Sequence, residues 1–163
     1  MGVVDATPFY SVGTTFRNNT TIVKFNEFRY FTKVTSVGSY YFGSCTNLKE
    51  IVLPNSLISF EGLTFAGTGI KSITIPINVV SIKQYSFAGM GQCETIICMP
   101  TTAPTIVSGN PWAWGGANNC IGYQTRNAGT NKIYIPKGST GYDASGWQTL
   151  TGANYGFTFV EME

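Results

Sequence analysis

The chain has 163 residues, 43% of them hydrophobic and only 11% charged, against about 25% charged in ordinary soluble domains. This suits one domain with a sizeable core and excludes a disordered chain or a coiled coil. Ten Lys or Arg against eight Asp or Glu give a net charge of +2 with the cations scattered, and histidine is absent. A phosphate-neutralising nucleic-acid surface is therefore not expected, and Ser-His-Asp and Cys-His catalysis are excluded together with the commonest metal ligand.

Residues 1–24 show little regular pattern and read as an N-terminal extension or linker. Met1 to Tyr10 has neither the basic segment nor the apolar run of a secretory signal. No stretch approaches the ~20 apolar residues of a membrane span. A domain over residues 25–163 follows. Its first part, 25–33, contains Asn26-Glu27-Phe28-Arg29-Tyr30-Phe31, which reads as a short helical turn capped by Asn26. The three aromatics would close the N-terminal end of the core.

Over residues 34–100 three stretches superimpose. The first runs from Val34 through Val37 to Phe42, then Leu48, Ile51, Leu53 and Pro54. The second runs from Leu57 through Phe60 to Phe65, then Ile70, Ile73, Ile75 and Pro76. The third runs from Val79 through Ile82 to Phe87, then Cys93, Ile96 and Cys98. The Phe residues fall at 42, 65 and 87, steps of 23 and 22. In each copy the last two apolar positions are separated by one residue, which is strand spacing. One such strand cannot bury its own apolar face, whereas copies stacked about 4.8 Å apart share a core. The Pro that follows lacks an N–H for the ladder, so the chain turns there. The segment ending in Phe then returns across the back of the coil.

These residues resemble the BspA-like leucine-rich repeats of surface proteins from Bacteroides and related bacteria. The resemblance rests on Phe28 to Phe42, Gly43-Ser-Cys-Thr-Asn-Leu48, Ile51-Val-Leu-Pro54 and Ile73-Thr-Ile-Pro76. Ile133-Tyr-Ile-Pro-Lys-Gly-Ser139, with Tyr142 and Trp147, is similar to the closing segment of that family. The resemblance implies a mainly β, right-handed leucine-rich-repeat solenoid with capped ends, one parallel strand per 22- to 23-residue repeat, and a role in adhesion or recognition outside the cell. Residues 132–163 would form the C-terminal cap, with Gly156 to Val160 as a final strand. The stretch 101–131, rich in Gly, Asn and Trp, departs from the pattern and reads as a long loop.

The cysteines at 45, 93, 98 and 120 are expected as buried apolar residues rather than metal ligands. Cys93 and Cys98 stand where other copies have Leu or Ile, and Cys45 aligns with Thr68. The carboxylates fall one per coil at outward positions, without the facing pair that glycoside hydrolysis needs. No cofactor and no catalysis are expected.

Two surfaces are candidates for binding. The strand's outward positions form one column of Glu50, Ser72, Thr95 and Lys132, and a second of Val52, Thr74, Ile97 and Tyr134. Such a face is the usual binding surface of a solenoid, and its partner would be a protein of the host matrix or of a bacterial surface. Trp112 and Trp114, in the loop, would instead stack on sugar rings. A phage or virion component recognising host surfaces is a third possibility.

Overall fold

A computed structural model describes residues 16–163; the expectations for residues 1–15 lie outside the described residues. The repeat unit builds two strands rather than the one expected. The first set comprises β1 (Lys24–Phe25), β3 (Glu50–Ile51), β5 (Ser72–Ile75), β7 (Thr95–Cys98), β9 (Lys132–Pro136) and β10 (Thr158–Met162). The second set comprises β2 (Ser36–Val37), β4 (Ser59–Phe60), β6 (Ser81–Lys83) and β8 (Thr105–Val107). Every pairing between these strands is parallel. The first set forms a β1–β3 pair and a β5–β7–β9–β10 sheet, and the second forms a continuous β2–β4–β6–β8 sheet. Helix is confined to single turns, including α1 (Ser145–Gln148).

Alternation in the strands sets the core. Ile73 and Ile75 of β5 are buried between exposed Ser72 and Thr74, and β7 repeats this with Ile96 and Cys98. From the second set, Val37, Phe60 and Ile82 point into the same interior. The space between the sheets is filled by a column of aromatic rings. Phe16, Phe42, Phe65, Phe87 and Trp112 stack in turn, with centroids 5.5, 5.4, 5.9 and 5.6 Å apart and planes within 15°.

That column is longer than the spacing of the three Phe residues indicates. Phe16 belongs to the stretch expected as an extension, yet it packs on Phe25, Tyr41 and Phe42. Asn18 N–H donates to Gly43 O, so the boundary expected at residue 24 falls inside a packed turn of the repeat. The stretch 101–131 likewise contains β8, which pairs with β6, and the buried Trp112. Only the remainder of it, with short 3-10 turns at Ala117–Asn119 and Arg126–Ala128, is an excursion from the repeat.

The N-terminal turn is a 3-10 helix over Asn26–Tyr30, but Asn26 does not cap it. Asn26 lies within the first turn, and its Nδ2 donates to the Glu50 carboxylate. A carboxylate is a stronger acceptor partner for this amide than one backbone N–H of a five-residue helix is a donor to it. Phe28 is buried, whereas Tyr30 is 67% exposed and closes nothing. At the other end Tyr142 and Trp147 are buried, and Trp147 lies against Trp112 with centroids 5.2 Å apart. The final strand begins at Thr158 rather than at Gly156. Gly156 holds φ +68° beside the Arg126 backbone, a turn that glycine adopts without strain.

One position in the core is poorly matched. Thr68 follows Phe65 by three residues, as Cys45 follows Phe42; its hydroxyl is buried and has no hydrogen-bond partner. Thr68→Val keeps the shape and removes the polar atom, so it is expected to raise unfolding free energy by about 1 kcal/mol in urea titration. A loss of stability would refute the reading of that hydroxyl.

Candidate functional site

The outward residues of β5, β7, β9 and β10 stand in two straight columns. Register places Ser72 beside Thr95, Lys132 and Thr158, and Thr74 beside Ile97, Tyr134 and Val160. The inward positions between them, Ile73, Ile96 and Ile133, are buried, so the backbone holds the outward groups at strand spacing of about 4.8 Å. Thr158 and Val160 extend each column by one member that the repeat pattern alone does not assign. Lys132 Nζ donates to Thr158 Oγ1 at 2.9 Å, which fixes its charge along the column.

Glu50 and Val52 are not joined to these columns by a strand ladder, although β3 lies against β5. The Glu50 carboxylate is 2.9 Å from Lys24 Nζ and accepts from Asn26. The Asn26 hydrogen bond, then Lys24, hold its carboxyl below the usual range. The Glu50 charge is thus matched by Lys24, and the β5–β7–β9–β10 face offers hydroxyl and apolar groups together with the Lys132 cation.

The two tryptophans of the expected loop separate. Trp112 is fully buried, and its Nε1–H donates to Gly146 O at 2.9 Å, so it offers no face to a ligand. Trp114 is 54% exposed and stacks on Tyr85, with centroids 6.0 Å apart and planes at 23°. The division was hidden by one extra residue. Ile82 precedes Phe87 by five positions and Ile106 precedes Trp112 by six, with Ser108 and Gly109 both in left-handed conformation between them.

A model of the BspA type leucine rich repeat region, in six copies, matches residues 14–109. The chain belongs to this family. The match begins before Phe16 and so takes in the first packed turn of the BspA-type repeats. A leucine rich cell surface protein from Faecalibacterium prausnitzii, known from a crystal structure, is similar at 32% identity with a TM-score of 0.43. The similarity covers 46% of this chain and 20% of that one, so this chain spans a small part of that protein's length. No curated protein matches.

The four cysteines are buried thiols outside any disulfide, Cys45, Cys93 and Cys98 within the BspA-type repeats and Cys120 beyond them. Burial pushes the Cys93 and Cys98 thiols up to about 12, which keeps them uncharged at neutral pH. Among the described residues no group of three or more His, Cys, Asp or Glu is placed to hold a metal. No helix among them is long and apolar enough to cross a membrane.

Proposed function

We propose that this chain is a non-catalytic recognition module displayed at a cell surface, which binds a protein through the β5–β7–β9–β10 face. The partner class is a host-matrix or bacterial surface protein. The observation that carries this reading is the register of the Thr74, Ile97, Tyr134 and Val160 column. Four strands present a nearly neutral strip of apolar and hydroxyl groups. Apolar strips of this kind on repeat proteins serve as interaction surfaces. In this reading residues 16–163 are one right-handed solenoid, the hand that parallel crossovers take. Phe28 and Phe31 cap one end, and Tyr142, Trp147 and β10 cap the other.

The test is binding to immobilised matrix proteins by surface plasmon resonance. Thr74→Arg places a charge in the apolar column, and Tyr134→Ala removes its largest side chain. Each is expected to weaken binding about tenfold or more, the loss of roughly 1.4 kcal/mol or above, with the melting transition unchanged. Unaltered binding by both variants would remove this face from the function.

A second reading, carbohydrate binding, is favoured by the exposed Trp114 over Tyr85. Aromatic faces accept the apolar side of a pyranose ring. Glycan binding that disappears in Trp114→Ala, with the strand-face variants unaffected, would move the site there.

A further inference from the structure

Beside the strand face lies a groove of about 600 Å³, lined by Arg29, Tyr30, Val52, Asn55, Ser56 and Asn78 among others. Its origin is the shortness of β1, the first strand of the repeat. β1 has only two residues before the chain leaves into the helix at Asn26. Val52 and the residues after it therefore continue past the end of their neighbour strand. The helix forms one side of the gap and the turns entering β4 and β6 form the other.

The lining is mostly apolar, through Val52, Leu53 and the Tyr30 ring, and its polar part is one-sided in charge. It contains a cation, amides and hydroxyls, and no carboxylate. Glu50, the nearby acid of β3, is already paired with Lys24. The Arg29 guanidinium lies 4.9 Å from the Tyr30 ring centroid and donates to Tyr30 OH at 3.0 Å. That contact uses one of five N–H donors and orients the fork, leaving donors for a bidentate carboxylate. Across the groove Asn78 Nδ2 donates to Asn55 O at 2.7 Å, which fixes one amide and leaves its carbonyl oxygen as an acceptor. Side-chain amides offer both a donor and an acceptor, the pattern of a peptide group.

We propose that this groove binds an extended segment of the protein partner and that Arg29 receives a carboxylate from an Asp or Glu in it. The inference rests on the protein-binding reading above, since Val52 follows β3, which lies against β5 of the strand face. An acidic segment would lie along the helix with its side chain at the guanidinium and its backbone at the Asn55 and Asn78 amides.

Two short peptides test this by nitrogen-15 NMR titration of the whole chain. One alternates threonine with aspartate and the other threonine with asparagine, both acetylated and amidated. The aspartate peptide is expected to shift the amides of residues 29–32, 52–56 and 78, and to bind about tenfold more tightly than the asparagine peptide. Arg29→Gln, at an exposed position, is expected to erase that difference. Equal binding of the two peptides, no shifts from the aspartate peptide, or shifts confined to β5–β10 would overturn the proposal. So would an oligogalacturonate that shifts the groove while the aspartate peptide does not. The strand-face reading fails separately, by matrix-protein binding that survives Thr74→Arg while the groove titration stays intact.

Discussion

Phe65→Ala is expected to lower unfolding free energy by about 3–5 kcal/mol, a large part of the 5–15 kcal/mol typical of a domain. Phe65 is fully buried, with Phe42 on one face at 5.4 Å, Phe87 on the other at 5.9 Å and Phe60 at its edge. The strand ladders on either side set the distance between successive turns. Neighbouring rings therefore cannot move together to fill the space, and the lost contacts are added to the lost burial. Because each turn of a repeat protein touches only its neighbours, the weakened interface divides the molecule. All three tryptophans, Trp112, Trp114 and Trp147, lie on the C-terminal side. Urea unfolding followed by tryptophan fluorescence should thus part from the circular-dichroism transition in this variant, while the two coincide in the parent. Phe65→Leu should cost about 1–1.5 kcal/mol and keep the transitions together. A loss below about 1 kcal/mol for Phe65→Ala would mean that the ring stack does not couple the turns.

The same ring column shows what the sequence made legible. The near-equal spacing between Phe42, Phe65 and Phe87 was visible because those turns differ in length by one residue. Phe16 stands 26 residues before Phe42 and Trp112 stands 25 after Phe87. The first interval contains the 3-10 helix and the second the left-handed pair Ser108 and Gly109. Insertions of this kind leave the packing position unchanged but break a search by period. The second sheet was hidden for another reason. Strands of two or three residues, such as β2 and β4, bury one side chain each and have no alternation to detect. Parallel pairing with their copies makes them strands.

Local patterns were read well where local forces decide and less well elsewhere. The outward columns through Thr74 and Thr95 followed from period-two alternation, and the backbone pairs them in that register. The strand ladder is interrupted between β3 and β5, although the two lie in contact, and the interruption has no counterpart in the apolar pattern. Asn26 had the form of a helix cap, but its amide goes to Glu50, 24 residues away. A contact at that separation is set by the stacking of turns, which local sequence does not display.

Trp112→Ala and Trp114→Ala are expected to differ sharply although two residues separate them. Trp112 ends the ring column on Phe87 and also meets Trp147, at 5.6 and 5.2 Å. Its truncation removes the indole hydrogen bond to Gly146 O as well as the ring. Trp147 depends on the same arrangement, since its Nε1–H donates to Pro104 O at the entrance to β8. The expected cost is about 3–5 kcal/mol, whereas Trp114→Ala should stay within about 0.5 kcal/mol of the parent. Fluorescence separates them further. Exposed Trp114 should account for the iodide-quenchable emission, which Trp114→Ala removes without moving the melting temperature. A parent-like melting temperature for Trp112→Ala, or a loss above about 1 kcal/mol for Trp114→Ala, would refute the assignment of core and surface. The distinction also governs any test of glycan binding. A variant lacking Trp112 would lose binding because the C-terminal turns come apart, so only Trp114→Ala reports on a surface contact.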